Sequence, residues 1–312
     1  MPARSTRHTA AVAPGEEPNR PEGPQDENDL FPDTGADQVM RGDIRRLPRE
    51  VVLGFSAHAE EYLTAGARKQ MALAFAAGAF IAFGAALSVF LTVGVAPEGV
   101  SRLLLGLGFS AGFVLVILSG AALFTEVNVL LPELFLSKRG RVSARLWRFW
   151  ILVYLGNAAG ALMVGALMAA GDVLGPEEVE RLREIIGEKM RFQDMGVEGW
   201  FRVVASGVIG NWLVGMAAFN ATAARTVSGK ILGIVFPIVT FVALGAQHSP
   251  ANMGYFAIGL IEGDVGTDWW DAFVWSIVPA SIGNIIGAAV FVSLLFWYTH
   301  GGDRQAPKDP PA

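Results

Sequence analysis

The stretch of sequence that decides the fold is residues 231–261, ILGIVFPIVTFVALGAQHSPANMGYFAIGLI. This run is almost wholly apolar, yet it is longer than the roughly 20 helical residues that cross a bilayer. The polar residues Gln247-His248-Ser249-Pro250 interrupt it near the middle. Pro250 lacks a backbone donor and clashes with a preceding helical turn, so we expect the helix to break there. A helix that breaks at membrane depth must be buried in protein or line a wet cavity, which makes this segment a candidate transport site.

A second overlong run and an internal repeat extend this pattern to the other half of the chain. Residues 103–136 are interrupted by Thr125-Glu126, and the pattern G-N-x-x-G-A occurs at 156–161 and again at 283–288. Each copy follows a break at a similar distance, 32 residues from Thr125 to Asn157 and 36 from His248 to Asn284. Three predicted spans separate the copies, so the two halves are expected to insert with opposite topology, as inverted repeats do.

Composition agrees with an all-α integral membrane protein. The 312 residues are 52% hydrophobic and only 17% charged, against about 25% charged in soluble domains. There is no cysteine and the net charge is −5, so no thiolate metal site, cofactor or nucleic-acid partner is indicated. We predict a disordered polar tail over 1–50, a six-span transport domain with an amphipathic entry helix over 51–300, and a polar tail over 301–312. The predicted spans are 71–95, 103–136, 146–170, 201–224, 231–261 and 270–298.

The loop charges predict the orientation of the chain in the membrane. The loop after the second span carries only basic residues, as does the loop after the fourth, whereas the last loop carries only acids. Because Lys and Arg collect on the cytoplasmic side, both termini are predicted to be cytoplasmic. The basic residues are Lys138, Arg139, Arg141, Arg145, Arg148, Arg225 and Lys230, and the acids are Glu262, Asp264, Asp268 and Asp271.

The breaks also supply the candidate functional side chains. His248 is the only histidine inside a predicted span, and ionisable groups within membranes usually face a cavity, where a neutral imidazole could donate a hydrogen bond to an anion. Thr125 could contact substrate or satisfy freed backbone groups, and both interpretations stay open. Asn211 could hold helices together, and Glu126 is expected near the inner water interface. Phe109 and Phe113 share a helix face and could form a narrow collar or simply pack.

Two blocks of this sequence resemble the formate/nitrite transporter family. They are LFTEVNVLLPELF at 123–135 and NWLVGMAAFNATAARTVSGKILGIVFPIVTFVALGAQHSPANM at 211–253. The resemblance extends over residues 50–300. It implies an aquaporin-like protomer of six helices, with the second and fifth broken, that assembles as a homopentamer with a pore in each protomer.

The resemblance also assigns roles to individual residues. It implies that His248 is the central pore histidine, that Thr125 lies on the flexible loop beside it and that Asn211 is the neighbouring amide. It places Leu123, Phe124 and Phe241 in a collar on one side, and Phe109 and Phe113 in a collar towards the outer side. It implies basic residues around the inner mouth, namely Lys138, Arg141, Arg145 and Lys230. Gln247 departs from the pattern, because relatives commonly carry Glu there.

The expected function is therefore a multi-pass channel or transporter of the cell (plasma or inner) membrane for small monovalent weak-acid anions. Formate, nitrite, hydrosulfide, acetate and lactate all remain open as substrates. Desolvating an anion in an apolar constriction is very costly, so we expect the protonated or proton-coupled species to cross. The alternatives are an aquaporin-like channel for a neutral solute and a non-transporting membrane scaffold or sensor. An enzyme is disfavoured, because no catalytic cluster of carboxylates and histidines is evident.

Overall fold

The computed structural model describes residues 45–137 and 143–301, and this part of the chain is almost wholly helical. The all-α prediction is therefore confirmed. The helices are α1 Pro48–Thr64, α2 Ala67–Phe90, α3 Glu98–Ser119, α4 Phe124–Ser137, α5 Ser143–Ala170, α6 Pro176–Met190, α7 Gly196–Ala223, α8 Val227–Ala243, α9 Ser249–Glu262 and α10 Trp269–His300. Helix α10 contains π-helical turns, such as Phe273–Ile277.

Within the described residues, five helical stretches are long and apolar enough to cross a membrane. Four of them are α2, α3, α5 and α10, and the fifth is the continuous stretch Pro176–Ala223, whose apolar part is α7 because α6 is rich in charge. Helix α8 is apolar but has only 17 residues. Large apolar side chains lie exposed on these helices, such as Phe236 at 69%. A lipid environment accounts for this exposure, and the chain is a multi-pass membrane protein.

Non-helical residues interrupt each of the two overlong apolar runs. Helix α3 ends at Ser119 and is closed by Gly120 at φ +69°, a left-handed conformation that glycine adopts without strain. Helix α8 ends at Ala243, and Gly245 takes φ +63° before α9 begins at Ser249. Pro250 lies in the first turn of α9, where its missing N–H is tolerated. The second interruption includes Gln247 and His248, whereas the first lies just before Thr125, which belongs to the first turn of α4.

The glycines of the repeated G-N-x-x-G-A pattern lie where helices pack closely. A Cβ atom on Gly160 would lie 2.0 Å from the carbonyl oxygen of Phe75, in the contact between α5 and α2. A Cβ atom on Gly283 would lie 2.1 Å from the carbonyl oxygen of Val204, in the contact between α10 and α7. Small residues let helix backbones approach to this distance, so the repeated pattern marks a close helix pair in each half of the chain.

The amphipathic entry helix packs against the first interruption. The expected entry helix corresponds to α1, which buries Val51, Phe55 and Tyr62. The Tyr62 hydroxyl donates to the carbonyl oxygens of Gly120 at 3.2 Å and Ala121 at 3.3 Å. Helix α1 is thereby fixed to the segment that joins α3 to α4.

Candidate functional site

Asn157 of the first repeat holds the interruption between α3 and α4. Its Oδ1 accepts a hydrogen bond from the Phe124 N–H at 2.8 Å. Its Nδ2 donates to the carbonyl oxygens of Ala74 at 2.7 Å and Ala122 at 3.0 Å. The asparagine therefore satisfies backbone groups that the break leaves without helical partners.

Asn284 makes the corresponding contacts in the second half. Its Oδ1 accepts from the Ser249 N–H at 2.8 Å and from the Ser249 hydroxyl at 3.1 Å. Its Nδ2 donates to the carbonyl oxygens of Gly207 at 2.9 Å and Gln247 at 3.1 Å. The sequence indicated the repeat but not this role, although the distance from each asparagine to its break was the available signal.

His248 lies fully buried immediately before α9. Its Nδ1 accepts a hydrogen bond from the Ala251 N–H at 3.2 Å, and its Nε2 lies 2.9 Å from the Thr125 hydroxyl oxygen. Because Nδ1 acts as an acceptor, the neutral ring carries its proton on Nε2. That proton points to Thr125 Oγ1, so the structure joins the two interruptions through one side-chain hydrogen bond.

Asn211 of α7 completes this central group. Its Nδ2 donates to the carbonyl oxygen of Thr125 at 3.2 Å and to that of Asn284 at 2.7 Å, while its Oδ1 is buried without a partner in the described residues. The structure therefore brings together His248, Thr125 and Asn211, the three polar candidates from sequence. Through these two hydrogen bonds Asn211 also connects α7 to the helices that contain Thr125 and Asn284, as a helix-bridging amide does.

Aromatic rings close one side of the central group. The ring centroid of Phe109 lies 5.7 Å from that of Phe241 and 6.3 Å from that of His248, and Phe241 lies 5.3 Å from His248. Phe113 and Leu123 belong to the same buried cluster. Phe241 packs against Phe109, whereas Phe124 belongs to another buried cluster, and the assignment of Phe241 to a collar with Leu123 and Phe124 stays a prediction. The resemblance matched positions along the chain, whereas the fold of α8 against α3 decides which rings meet.

Phe124 has different neighbours from the other collar candidates. Its ring packs edge-on against Tyr154 at a centroid distance of 4.9 Å, and it belongs to a second buried cluster together with Tyr62 and Leu130. The resemblance placed Leu123 and Phe124 in one collar. In the structure they belong to different clusters, because α4 begins at Phe124 and turns it towards α1 and α5.

A recess beside these rings contains a lysine that the sequence analysis did not select. The recess has a volume of about 20 Å³ and its wall includes Phe109, Phe241 and Lys189. The Lys189 ammonium lies 3.5 Å from the Ala246 carbonyl oxygen and 5.9 Å from the ring centroid of Tyr255. Burial, with Arg191 beside it, lowers the pKa of Lys189 to about 8. A positive charge therefore stands next to the aromatic wall.

The position of Lys189 could have been inferred from periodicity. Leu182, Ile185 and Ile186 form the buried face of the linker helix α6, and Lys189 follows at the i+7 position of the same face. The Gln247 side chain donates from Nε2 to the Lys189 carbonyl oxygen at 3.1 Å, which attaches α6 to the second interruption. The many charged residues of α6 gave no sign of this contact.

A wider cavity of 260 Å³ adjoins the recess and shares with it residues such as Leu105 and Val242. Its wall carries Arg102 and Arg181. The Arg181 guanidinium donates to the Thr92 hydroxyl at 3.0 Å and is held in place on α6. Basic groups thus extend from this cavity to the Lys189 recess, but Glu98 and Glu188 line the same walls and Glu98 forms an ion pair with Arg102.

The remaining candidates lie away from the central group or outside the described residues. Arg145 is exposed in the first turn of α5 and Lys230 is half-buried in the first turn of α8. Lys138, Arg141, residues 1–44 and residues 302–312 lie outside the described residues. Glu126 is not at a water interface as expected, because it is only 5% exposed and its Oε2 is buried without a partner in the described chain.

Comparison with known proteins identifies a family. The family model described as formate/nitrite transporter matches residues 49–298. The probable formate transporter of Methanothermobacter thermautotrophicus is 33% identical over 273 residues, which cover 83% of this chain and 98% of that protein. The formate channel FocA of Escherichia coli (strain K12) is 28% identical over 250 residues, which cover 73% of this chain and 85% of that protein.

Two solved structures resemble the fold. A pentameric formate channel with formate bound has a TM-score of 0.64 and 26% identity, and the match covers 75% of this chain and 97% of that one. An FNT family ion channel has a TM-score of 0.70 at 24% identity, and the match covers 80% of this chain and 98% of that one. The second likeness bears on the fold alone.

Proposed function

Because this chain belongs to the formate/nitrite transporter family, we propose that it conducts small weak-acid anions such as formate and nitrite, which cross in their protonated form. It is a membrane channel or transporter and not an enzyme. The solved relative that is a pentameric formate channel supports formate as a substrate and a homopentamer. We place the protein in the cell (plasma or inner) membrane with both termini cytoplasmic, on the basis of the loop charges.

One observation carries the proposal. A fully buried His248–Thr125 pair links the two interruptions at the centre of an apolar helical protein, and Phe109 and Phe241 cover it. Irregular backbone and polar side chains at this depth suit a substrate path. Leu123 and Phe113 belong to the same apolar cluster, and we include them in the constriction.

The steps follow from the charges and the apolar wall. An anion collects at the Lys189 recess, because the ammonium and the neighbouring arginines attract it. It takes a proton there from the aqueous phase, because an ammonium with a pKa of about 8 holds its proton more tightly than formic or nitrous acid does and serves to attract the anion. The neutral acid then passes the rings without the large desolvation penalty that an anion carries. Arg145 and Lys230, with Lys138 and Arg141, would attract anions at the inner mouth.

The geometry of His248 argues against this residue as the proton donor. Its Nδ1 accepts the Ala251 N–H, so a second ring proton has no place without breaking that bond. Loss of the remaining Nε2 proton would leave a buried imidazolate. We assign His248 the role of holding Thr125 in place by a neutral hydrogen bond.

The test uses purified protein in liposomes that contain a pH-sensitive dye. Formate, nitrite, hydrosulfide, acetate and lactate are added in turn, and we expect rapid internal acidification for at least one of them. His248→Ala and His248→Asn should alter the rate. Shrinkage of the vesicles in a neutral solute, without weak-acid uptake, would instead indicate the neutral-solute channel. No uptake of any anion by folded protein would refute the proposed function.

A further inference from the structure

The aromatic wall formed by Phe109 and Phe241 is backed by a tyrosine that the proposed transport steps do not use. Tyr255 of α9 is buried, and its ring lies nearly parallel to that of Phe109, with a centroid distance of 6.3 Å and an interplanar angle of 21°. Phe241 meets the same Phe109 ring edge-on, with a centroid distance of 5.7 Å. Phe109 is therefore in contact with the other ring of the wall and, in a parallel arrangement, with Tyr255.

The Tyr255 hydroxyl is tied to helix α2. Its oxygen lies 2.7 Å from Ser88 Oγ. Ser88 uses its own hydroxyl proton to bond the Ala85 carbonyl oxygen of the same helix, at 2.6 Å. Because a hydroxyl has only one proton, Tyr255 is the donor in the bond between the two side chains and Ser88 is the acceptor. Ser88 is fully buried, so this bond is shielded from water.

The backbone around Phe109 is packed directly against α2. A Cβ atom on Gly108 would lie 2.7 Å from Ser88 Cα, and a Cβ atom on Gly84 would lie 2.7 Å from the Phe109 carbonyl oxygen. Helix backbones in such close contact leave no room for α3 to shift towards α2. Widening of the aromatic wall at Phe109 therefore depends on a tilt of its ring.

The wall has to yield when a substrate passes. The recess that Phe109, Phe241 and Tyr255 line has a volume of about 20 Å³, which is room for about one water molecule. A carboxylic acid is larger than this space, and larger acids need a larger displacement of the rings. The resistance of Phe109 to tilting therefore bears on the size of the acid that can pass.

We propose that Tyr255 is a positioning residue for Phe109, and that its hydrogen bond to Ser88 sets the upper size of the acid that the protein carries. This inference rests on the transport function proposed above. Tyr255 lies parallel to the Phe109 ring and resists its tilt, and the bond to α2 keeps the Tyr255 ring itself from giving way. Loss of the bond releases both rings together, which favours the passage of bulkier acids.

The experiment measures uptake of formate, acetate and lactate in the same liposomes, because these acids share a carboxyl group and increase in size. Tyr255→Phe removes the hydroxyl and retains the ring. It leaves no donor unpaired, because Ser88 still bonds the Ala85 carbonyl oxygen. We expect the ratio of lactate to formate uptake to rise about fivefold, which corresponds to the roughly 1 kcal/mol of one neutral hydrogen bond.

Matched variants separate the role of this bond from a general loss of packing. Ser88→Ala removes the acceptor of the same bond and should raise the same ratio, and the double variant should show no larger effect than Tyr255→Phe alone. Ser110→Ala removes a buried hydroxyl next to Phe109 that bonds the Leu107 carbonyl oxygen of its own helix, and it should leave the ratio unchanged. If either Tyr255→Phe or Ser88→Ala does not fold, comparison of the other with Ser110→Ala decides by itself.

Two results would overturn the inference while leaving the transport function intact. One is a ratio of lactate to formate uptake in Tyr255→Phe equal to that of the wild type, which indicates that the bond contributes to stability alone. The other is a ratio that changes in Tyr255→Phe but not in folded Ser88→Ala, which indicates that the Tyr255 hydroxyl contacts the substrate directly. A wild-type protein that carries no weak acid would overturn the proposed function, and the inference with it.

Discussion

Replacement of Asn284 by alanine should destabilise the protein far more than replacement of a typical helix-bridging asparagine. The amide of Asn284 bonds Ser249, Gly207 and Gln247. Gly207 lies within α7 and keeps its helical bonding, but the Ser249 N–H and the Gln247 carbonyl would be left buried and unpaired. At about 1–3 kcal/mol for each unpaired group, with the small cavity added, we expect a loss of about 3–5 kcal/mol.

The matched control is Asn220→Ala. Asn220 lies on α7, is half-buried and makes one hydrogen bond of 3.3 Å to the Gly233 carbonyl oxygen. Its loss should reduce stability by about 0.5–1 kcal/mol. The two variants therefore share the chemical change and differ in the backbone groups that the change exposes.

Thermal unfolding of the purified protein in detergent measures the difference. At about 2–4 °C for each kcal/mol in a domain of this size class, Asn284→Ala should unfold about 6–20 °C below the wild type. Asn220→Ala should unfold within about 4 °C of the wild type. If the two variants unfold within about 2 °C of each other, the reasoning that Asn284 holds the second interruption is wrong.

Three further predictions follow from the same structure. Gly283→Ala should abolish folded protein, because its Cβ would lie 2.1 Å from the Val204 carbonyl oxygen, whereas Gly187→Ala has open space and should be tolerated; the yield of monodisperse protein distinguishes them. Lys189 carries its charge below its pKa of about 8 and loses it above. The half-saturating anion concentration on the side of the Lys189 recess should therefore rise as the pH passes about 8. Lys189→Met should raise this concentration about threefold at pH 6 and remove its pH dependence, while Lys189→Arg should keep it low at pH 9. His248→Ala should destabilise the protein by about 3 kcal/mol, because it removes the cap on the Ala251 N–H, the bond to Thr125 and a fully buried ring. His248→Asn should retain that cap and lose less stability, as thermal unfolding together with weak-acid flux would show.

The membrane class and the family were determined by the sequence. The apolar runs are longer than a soluble core needs, and the charged residues lie between them. Such runs favour membrane-spanning helices, because each backbone group in lipid must be paired within a helix. The sequence also indicated the two interruptions, because Pro250 favours the start of a helix and the polar Thr125-Glu126 follow directly after the first break. The repeated G-N-x-x-G-A pattern indicated where helices approach closely, and the contacts of Gly160 and Gly283 agree.

The composition of the central site depended on tertiary structure. His248 and Thr125 are 123 residues apart, and their hydrogen bond exists only because Asn157 and Asn284 hold both interruptions in place. The pairing of Phe241 with Phe109, and the separation of Phe124 from Leu123, follow from how α8 packs on α3 and where α4 begins. Helix α6 is rich in charge, which is typical of a solvent-exposed helix. Only its packing against the other helices shows that Lys189 is one of its buried charges. Local sequence determines which residues cannot lie in lipid, whereas the contacts between distant helices determine which of those residues meet.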